Sequence, residues 1–238
     1  MRVNPTDEEY LQTYLELVED GIRPIGARLA ERLGISAAAV SEGMHRLIQR
    51  GYAVEQDKIF SLTATGEEAG RTVIRRHRLA ECFLVNILGL RWERAHLEAA
   101  RWEHALSADV EERIIVMLDD PAVCPHGNPI PGSKRGQAAE PAAPLAESRP
   151  GRMRLVRISE QAQSEEATIV FLARTGLLPG AVLEVLDKGP PPSPGILVRG
   201  DKGDCTVPPS MAALLWVSPA WPPGGNAGVR RQRVVVMM

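Results

Sequence analysis

The chain has 238 residues, of which 44% are hydrophobic and 4% aromatic, and a net charge of −2. That length exceeds the roughly 100–150 residues of a typical single domain, so more than one folded unit is expected. With no run of about 20 apolar residues, and with neither the basic nor the apolar region of a signal peptide in MRVNPTDEEY, the sequence predicts no membrane span and no export, and a cytoplasmic location follows. Cys82, Cys124 and Cys205 are widely spaced and form no CxxC pair, which argues against a disulfide framework and a structural zinc knuckle. Near-neutral charge means that any basic surface for nucleic acid has to be sought locally.

In TDEEYLQTYLELVED (6–20), apolar Tyr10, Leu11, Tyr14, Leu15 and Val18 recur every three or four residues. Thr6 with Glu9 three later predicts a capping box at the start of this helix, and Gly21 predicts its end. Pro24 sits near the start of a second helix (24–33) with Gly34 as C-cap, and Ser36 caps a third, AAAVSEGMHRLIQR, closed by Gly51. Two helices joined by a short Gly turn have helix-turn-helix spacing. YAVEQDKIFSLT then reads as two strands about a turn at Gln56–Lys58, the wing of a winged helix. The third helix is expected to enter the major groove of double-stranded DNA, presenting Ser36, Ala38, Ala39, Ser41, Glu42 and Arg46. Glu42 works against strong nonspecific affinity, because a carboxylate repels phosphates.

A long helix is expected from Thr63 to about Leu88, stopped by Gly89, then a helix over 92–106, then one capped by Ser107 and ended by Pro121. Histidines and carboxylates recur at helical spacing through 71–106. His77 and Glu81 stand one turn apart, and His96, Ala100, Glu103 and His104 fall within an arc of roughly 100°, with His96 about 12 Å along the axis from His104. One ion cannot bridge that distance, so the simplest arrangement is two metal sites, His77, Glu81 and His96 around one ion and Glu103 with His104 around another. Their oxygen and imidazole donors suit Mn, Fe, Co, Ni or Zn. Apolar stripes on helices that follow a winged helix predict a homodimer, which suits a palindrome. Residues 124–151 read as a proline-rich linker without a single conformation. MRLVRISE, ATIVFLA, GAVLEVLDKG, GILVRG and CTVP read as short strands of a small antiparallel barrel over 152–217, and 218–238 as a flexible tail.

RRHRLAE, RWEH and HGNPIPG behind a winged helix resemble the diphtheria-toxin-repressor family of metal-dependent transcriptional regulators, over nearly the whole chain. The resemblance implies a mainly α fold with a small β part: a winged-helix DNA-binding domain (1–70), metal-binding and dimerisation helices (71–123), the linker, and an SH3-like β-barrel. It implies an ancillary site of His77, Glu81 and His96 joined by Glu165 from QSEEAT, with the family's second barrel ligand falling on Thr168. It further implies a primary site of Glu9, Glu103, His104 and the main-chain carbonyl of Ala100, and an anion held by Arg78 and Asn128. Iron-type members carry methionine at the place of Glu9 and cysteine at that of Ala100, whereas manganese-type members carry carboxylates at both. The carboxylate retained here favours Mn(II), with Fe(II) next. Two cations per chain, a homodimer and palindromic operator DNA are thereby implied, in a transcriptional regulator, classed with the repressors, that controls metal homeostasis by repression or activation. Glu9 would alternate between capping its helix and binding the ion. The rival classes are a metal-independent winged-helix regulator, a metal-buffering scaffold and a metal-dependent hydrolase; for the last the sequence offers no HExxH, no nucleophile elbow and no Gly-rich phosphate loop.

Overall fold

The computed structural model describes residues 3–56, 59–136, 141–188 and 195–220. It divides into two compact units, Met1–His77 with Ala100–Glu112, and Arg78–Ala99 with Arg113–Met238.

The first unit opens with α1 (Pro5–Glu19), α2 (Gly26–Leu33) and α3 (Ala37–Gln49), followed by the hairpin β1 (Ala53–Gln56) and β2 (Ile59–Leu62). The helix of α1 begins earlier than Thr6. Asn4 is its N-cap, with Oδ1 accepting the Asp7 N–H at 2.9 Å, and Pro5 takes the first helical position, where a missing N–H costs nothing. Asn4 and Asp7 therefore form the box, because Asn4 Nδ2 also donates to Asp7 Oδ2, while Thr6 and Glu9 face solvent. At α2 the expected start at Pro24 moves to Gly26, after an Ile25 that offers no side-chain cap, and Gly34 ends it in the left-handed conformation. Ser36 caps α3 as expected, its Oγ accepting the Ala39 N–H at 3.2 Å. Tyr10, Leu11 and Leu17 of α1 pack with Leu29, Val40, Met44 and Leu47 as one core under the hairpin, which pairs antiparallel from Ala53–Leu62 to Gln56–Ile59. Two residues of the expected turn, 57 and 58, lie outside the described residues.

Helix α4 (Ala64–Asn86) follows, opened by Thr63, whose Oγ1 accepts the Gly66 N–H. The predicted 92–106 helix is shorter. A 3-10 turn (Trp92–Arg94) leads into α5 (Ala95–Trp102), so Glu103 and His104 leave from the turn beyond it rather than from a continuing helical face. Ser107 caps α6 (Ala108–Met117).

The second unit holds a six-stranded sheet with β3 (Ala143–Pro144), β4 (Gly151–Ile158), β5 (Val182–Lys188), β6 (Ile196–Gly200), β7 (Gly203–Val207) and β8 (Leu215–Pro219) in the order β3-β8-β4-β5-β6-β7, all antiparallel. Helices α7 (Glu160–Gln163), α8 (Glu166–Thr175) and α9 (Pro209–Ala212) accompany it. ATIVFLA is thus not a strand. Its buried residues Thr168, Ile169 and Leu172 follow helical spacing, and the left-handed Gly176 stops the helix; packing on the sheet outweighs the β preference of the Ile–Val pair. Nor is 124–151 a loose linker where it is described. The Cys124 N–H donates to the Asn128 carbonyl and the Ile158 N–H to that of His126, both at 2.9 Å, and Leu145 is fully buried in the sheet's core. Residues 137–140 and most of the expected tail, 221–238, lie outside the described residues. Among those described, no helix is long and apolar enough to cross a membrane.

Because the cap of α1 is Asn4, Asn4→Ala should cost about 1 kcal/mol of stability, whereas Thr6→Ala should stay within about 0.5 kcal/mol, as surface substitutions do. Thermal melts of the two variants decide; the opposite ranking would return the cap to Thr6.

Candidate metal centre and nucleic-acid face

In the first unit the carboxylate that meets His104 is that of Glu8, not Glu9. Glu8 is buried and its Oε2 lies 2.7 Å from His104 Nδ1, while Glu9, one residue on, points into solvent. Helical rotation of about 100° per residue is the reason: a burial pattern of Asp7, Glu8, Tyr10 and Leu11 leaves position 9 on the outer face. On its other side His104 Nε2 lies 3.3 Å from Glu103 Oε1, and Glu103 Oε2 lies 2.5 Å from His77 Nδ1. His77 Nδ1 thus faces Glu103 within this unit. Ala100 is exposed and brings no donor side chain.

In the second unit Glu81 is the hub. Fully buried on α4, it brings Oε1 to 3.5 Å from His96 Nδ1 and 3.1 Å from His126 Nδ1. Glu160, which opens α7, places Oε2 3.3 Å from the same His96 nitrogen. Glu165, expected here, is exposed instead. It is the N-cap residue of α8 and accepts a hydrogen bond from Thr168 Oγ1 at 2.9 Å, which also occupies Thr168. Glu160 is the residue that sequence reasoning missed, five positions earlier. Cys124 and His126 were missed too: with Glu81 they offer three ligand atoms within 4.8 Å of one another, all buried. The signal in the sequence is CPHGNPIPG, where two strong ligand types stand two residues apart.

His126 is fully buried against the tilted Trp92 ring, and neither of its ring nitrogens makes a hydrogen bond. Nδ1 lies beside Glu81 Oε1 without a hydrogen bond between them; a buried imidazole that lacks hydrogen bonds is costly, and coordination to a cation is one arrangement that satisfies it. Burial foremost, then the nearby carboxylates of Glu81 and Glu160, pushes the Cys124 thiol well above its ordinary range. Arg78 and Asn128, matched to an anion site, are both engaged by protein groups: Arg78 donates to Glu160 and to the Pro129 carbonyl, and Asn128 Nδ2 donates to the Ile158 carbonyl.

The α3 face divides into two parts. Ser36, Ala38, Ser41 and Glu42 are exposed, so the N-terminal half presents short side chains and free N–H groups suited to phosphate. Ala39 is half-buried, with its carbonyl accepting from Tyr10 Oη at 2.9 Å, and Arg46 Nε donates to Asp7 at 2.7 Å.

Two family models match the chain, "iron dependent repressor, N-terminal DNA binding domain" over residues 3–58 and "iron dependent repressor, metal binding and dimerisation domain" over 63–132. The chain is 37% identical over 218 residues to the iron-dependent repressor IdeR of Mycobacterium tuberculosis, covering 87% of this chain and 94% of that one. It is 38% identical over 192 residues to the diphtheria toxin repressor of Corynebacterium diphtheriae, covering 77% and 85%. Among solved structures it is similar to a manganese-dependent transcriptional repressor in complex with manganese, at TM-score 0.76 and 32% identity over 88% of this chain and all of that one. The manganese regulator SloR superposes at TM-score 0.74 with 27% identity, over 92% of this chain and all of that one.

Gly127 holds the His126 loop at φ +85, and a Cβ there would stand 2.1 Å from the Val156 carbonyl oxygen. Gly127→Ala should therefore cost about 2 kcal/mol or more through left-handed strain and backbone overlap. Urea titration reads this directly, and a loss below about 0.5 kcal/mol would mean that the loop yields freely.

Proposed function

The chain belongs to the iron-dependent repressor family, and on that premise we propose that it is a homodimeric repressor of metal homeostasis whose grip on palindromic operator DNA is switched on by a divalent cation, Mn(II) foremost and Fe(II) next. The observation that carries this reading is the pair of buried carboxylate–imidazole knots, one around His104 and one around Glu81, in a molecule whose α3 exposes a face of short side chains. A bound divalent cation would supply positive charge where these carboxylates and imidazoles converge. Glu8, Glu103 and His104, with His77 orienting Glu103, would hold one cation through oxygen and nitrogen alone, a donor set suited to Mn(II) or Fe(II). Glu81, His96, Glu160, Cys124 and His126 would hold the second, and the thiol makes this set softer.

The protein's own groups do the rest. Glu8 ties the first turn of α1 to His104, so the helix that packs under α3 is held by the same residues that gather around the cation. Ser36 and the free N–H groups of the first turn of α3 take DNA phosphates, and Ala38 permits close approach to the groove.

Genomic footprinting identifies an operator, and band shifts on that fragment then compare chelator with Mn(II). Affinity should rise at least tenfold with Mn(II), about 1.4 kcal/mol; equal affinity in both would sink the reading. In the same assay Glu8→Gln should lose most of the Mn(II) response, whereas Glu9→Gln should keep it, since the Glu9 side chain is exposed. The reverse result would return the ligand role to Glu9. Ala38→Glu should weaken binding at least tenfold, or by about 1.4 kcal/mol, through phosphate repulsion with an unchanged melting temperature; undiminished binding would show that another surface meets the DNA.

A further inference from the structure

Asp7 takes no part in that reading, yet its carboxylate is fully buried in the first turn of α1 and gathers three donors. Arg46 Nε lies 2.7 Å from Oδ1, Arg50 Nη1 lies 2.6 Å from Oδ2, and Asn4 Nδ2 lies 3.2 Å from Oδ2. The two arginines are four residues apart, Arg46 in the last turn of α3 and Arg50 at its C-cap, so both leave the side of α3 that is turned to the first turn of α1. Their side chains are 33% and 39% exposed, which puts both guanidiniums at the surface with one flank turned inward to Asp7. A guanidinium binds carboxylate and phosphate oxygens with the same fork of N–H donors, so an arginine held by Asp7 has fewer donors left for a DNA backbone. The next residue in the chain is Glu8, whose carboxylate is engaged by His104. Both carboxylates therefore sit on one turn of α1.

We propose that Asp7 is a built-in phosphate decoy: in this arrangement it occupies Arg46 and Arg50 as DNA phosphates would, and a shift of the first turn of α1 hands both arginines to the DNA backbone. Only the origin of that shift, a cation gathered by Glu8 and His104, rests on the metal-gated reading; the sequestration of the two arginines stands apart from it. Asp7 is thus a positioning residue that sets how much positive charge α3 can spend on DNA. Each phosphate contact contributes about 0.9 to the slope of log affinity against log salt, so release of two arginines should steepen it by roughly 1–2, equivalent to about a tenfold larger loss of affinity across a fourfold rise in salt.

The experiment measures affinity of the full chain for a random-sequence DNA duplex by fluorescence anisotropy across a salt series, in chelator and in Mn(II). Asp7→Asn in chelator should show a slope steeper than the parent's by roughly 1–2. A purely structural Asp7 would lower the melting temperature and leave the slope alone, so a folded Asp7→Asn with the parent's slope overturns the proposal. Should that variant fail to fold, Asp7→Asn combined with Arg46→Gln and Arg50→Gln supplies the second reading, because it removes the buried carboxylate together with the two charges that answer it. In Mn(II) its slope should be shallower than the parent's by roughly 1–2, and an identical slope overturns the decoy. A parent whose slope is the same in chelator and Mn(II), beside an Asp7→Asn that is steeper, would sink the cation as the trigger and keep the decoy.

Discussion

Two neighbouring carboxylates in the first turn of α1, Asp7 and Glu8, are both withdrawn from water, and the first unit is arranged around matching them. An uncompensated buried carboxylate costs several kcal/mol, so each must be answered by a cation or by donors. Asp7 is answered from α3 by Arg46 and Arg50, and Glu8 by His104 from beyond α5. The positive end of the α1 dipole favours both, and Asn4 and Pro5 fix where that end lies. One turn of helix thereby connects α3 with the carboxylate–imidazole cluster around His104. Tyr10, one turn later, reinforces the link through its bond to the Ala39 carbonyl.

The second unit solves a similar problem with another hub. Glu81 is buried beside His96 and His126, and Glu160 is brought to His96 from α7. Arg78 answers Glu160 from one turn earlier on α4. The loop 124–130, which fills the space beside Glu81, holds its shape by its own backbone bonds and by the left-handed Gly127, so its ligand-bearing residues are presented by a rigid segment. Thiol and imidazole on that segment make this cluster of side chains softer than the one around His104.

The winged helix was legible because its signals are local. Apolar spacing, the Ser36 cap and the glycines at 34 and 51 act within a few residues of themselves, and the hairpin follows from alternation. His77, Glu81, His96, Glu103 and His104 stood out for the same reason, as ligand types at helical spacing. What misled was proximity in sequence taken for proximity in space. Glu165 stands five residues from Glu160 in sequence, yet the turn from α7 into α8 sends it outward and keeps Glu160 inside.

By itself the sequence determined which residue types could bind cations, where the chain changes from helices to strands, and which helix offers a small-residue face. Only the tertiary structure decided which side chains turn inward: Glu8 over Glu9, Glu160 over Glu165, and Cys124 with His126 inside a segment rich in proline and glycine. Neighbouring positions on a helix differ by about 100° of rotation, and which of them meets the interior depends on the element packed against it. That partner lies 96 residues away for Glu8 and 82 for the Arg78–Glu160 pair, a separation over which spacing within one segment carries no information.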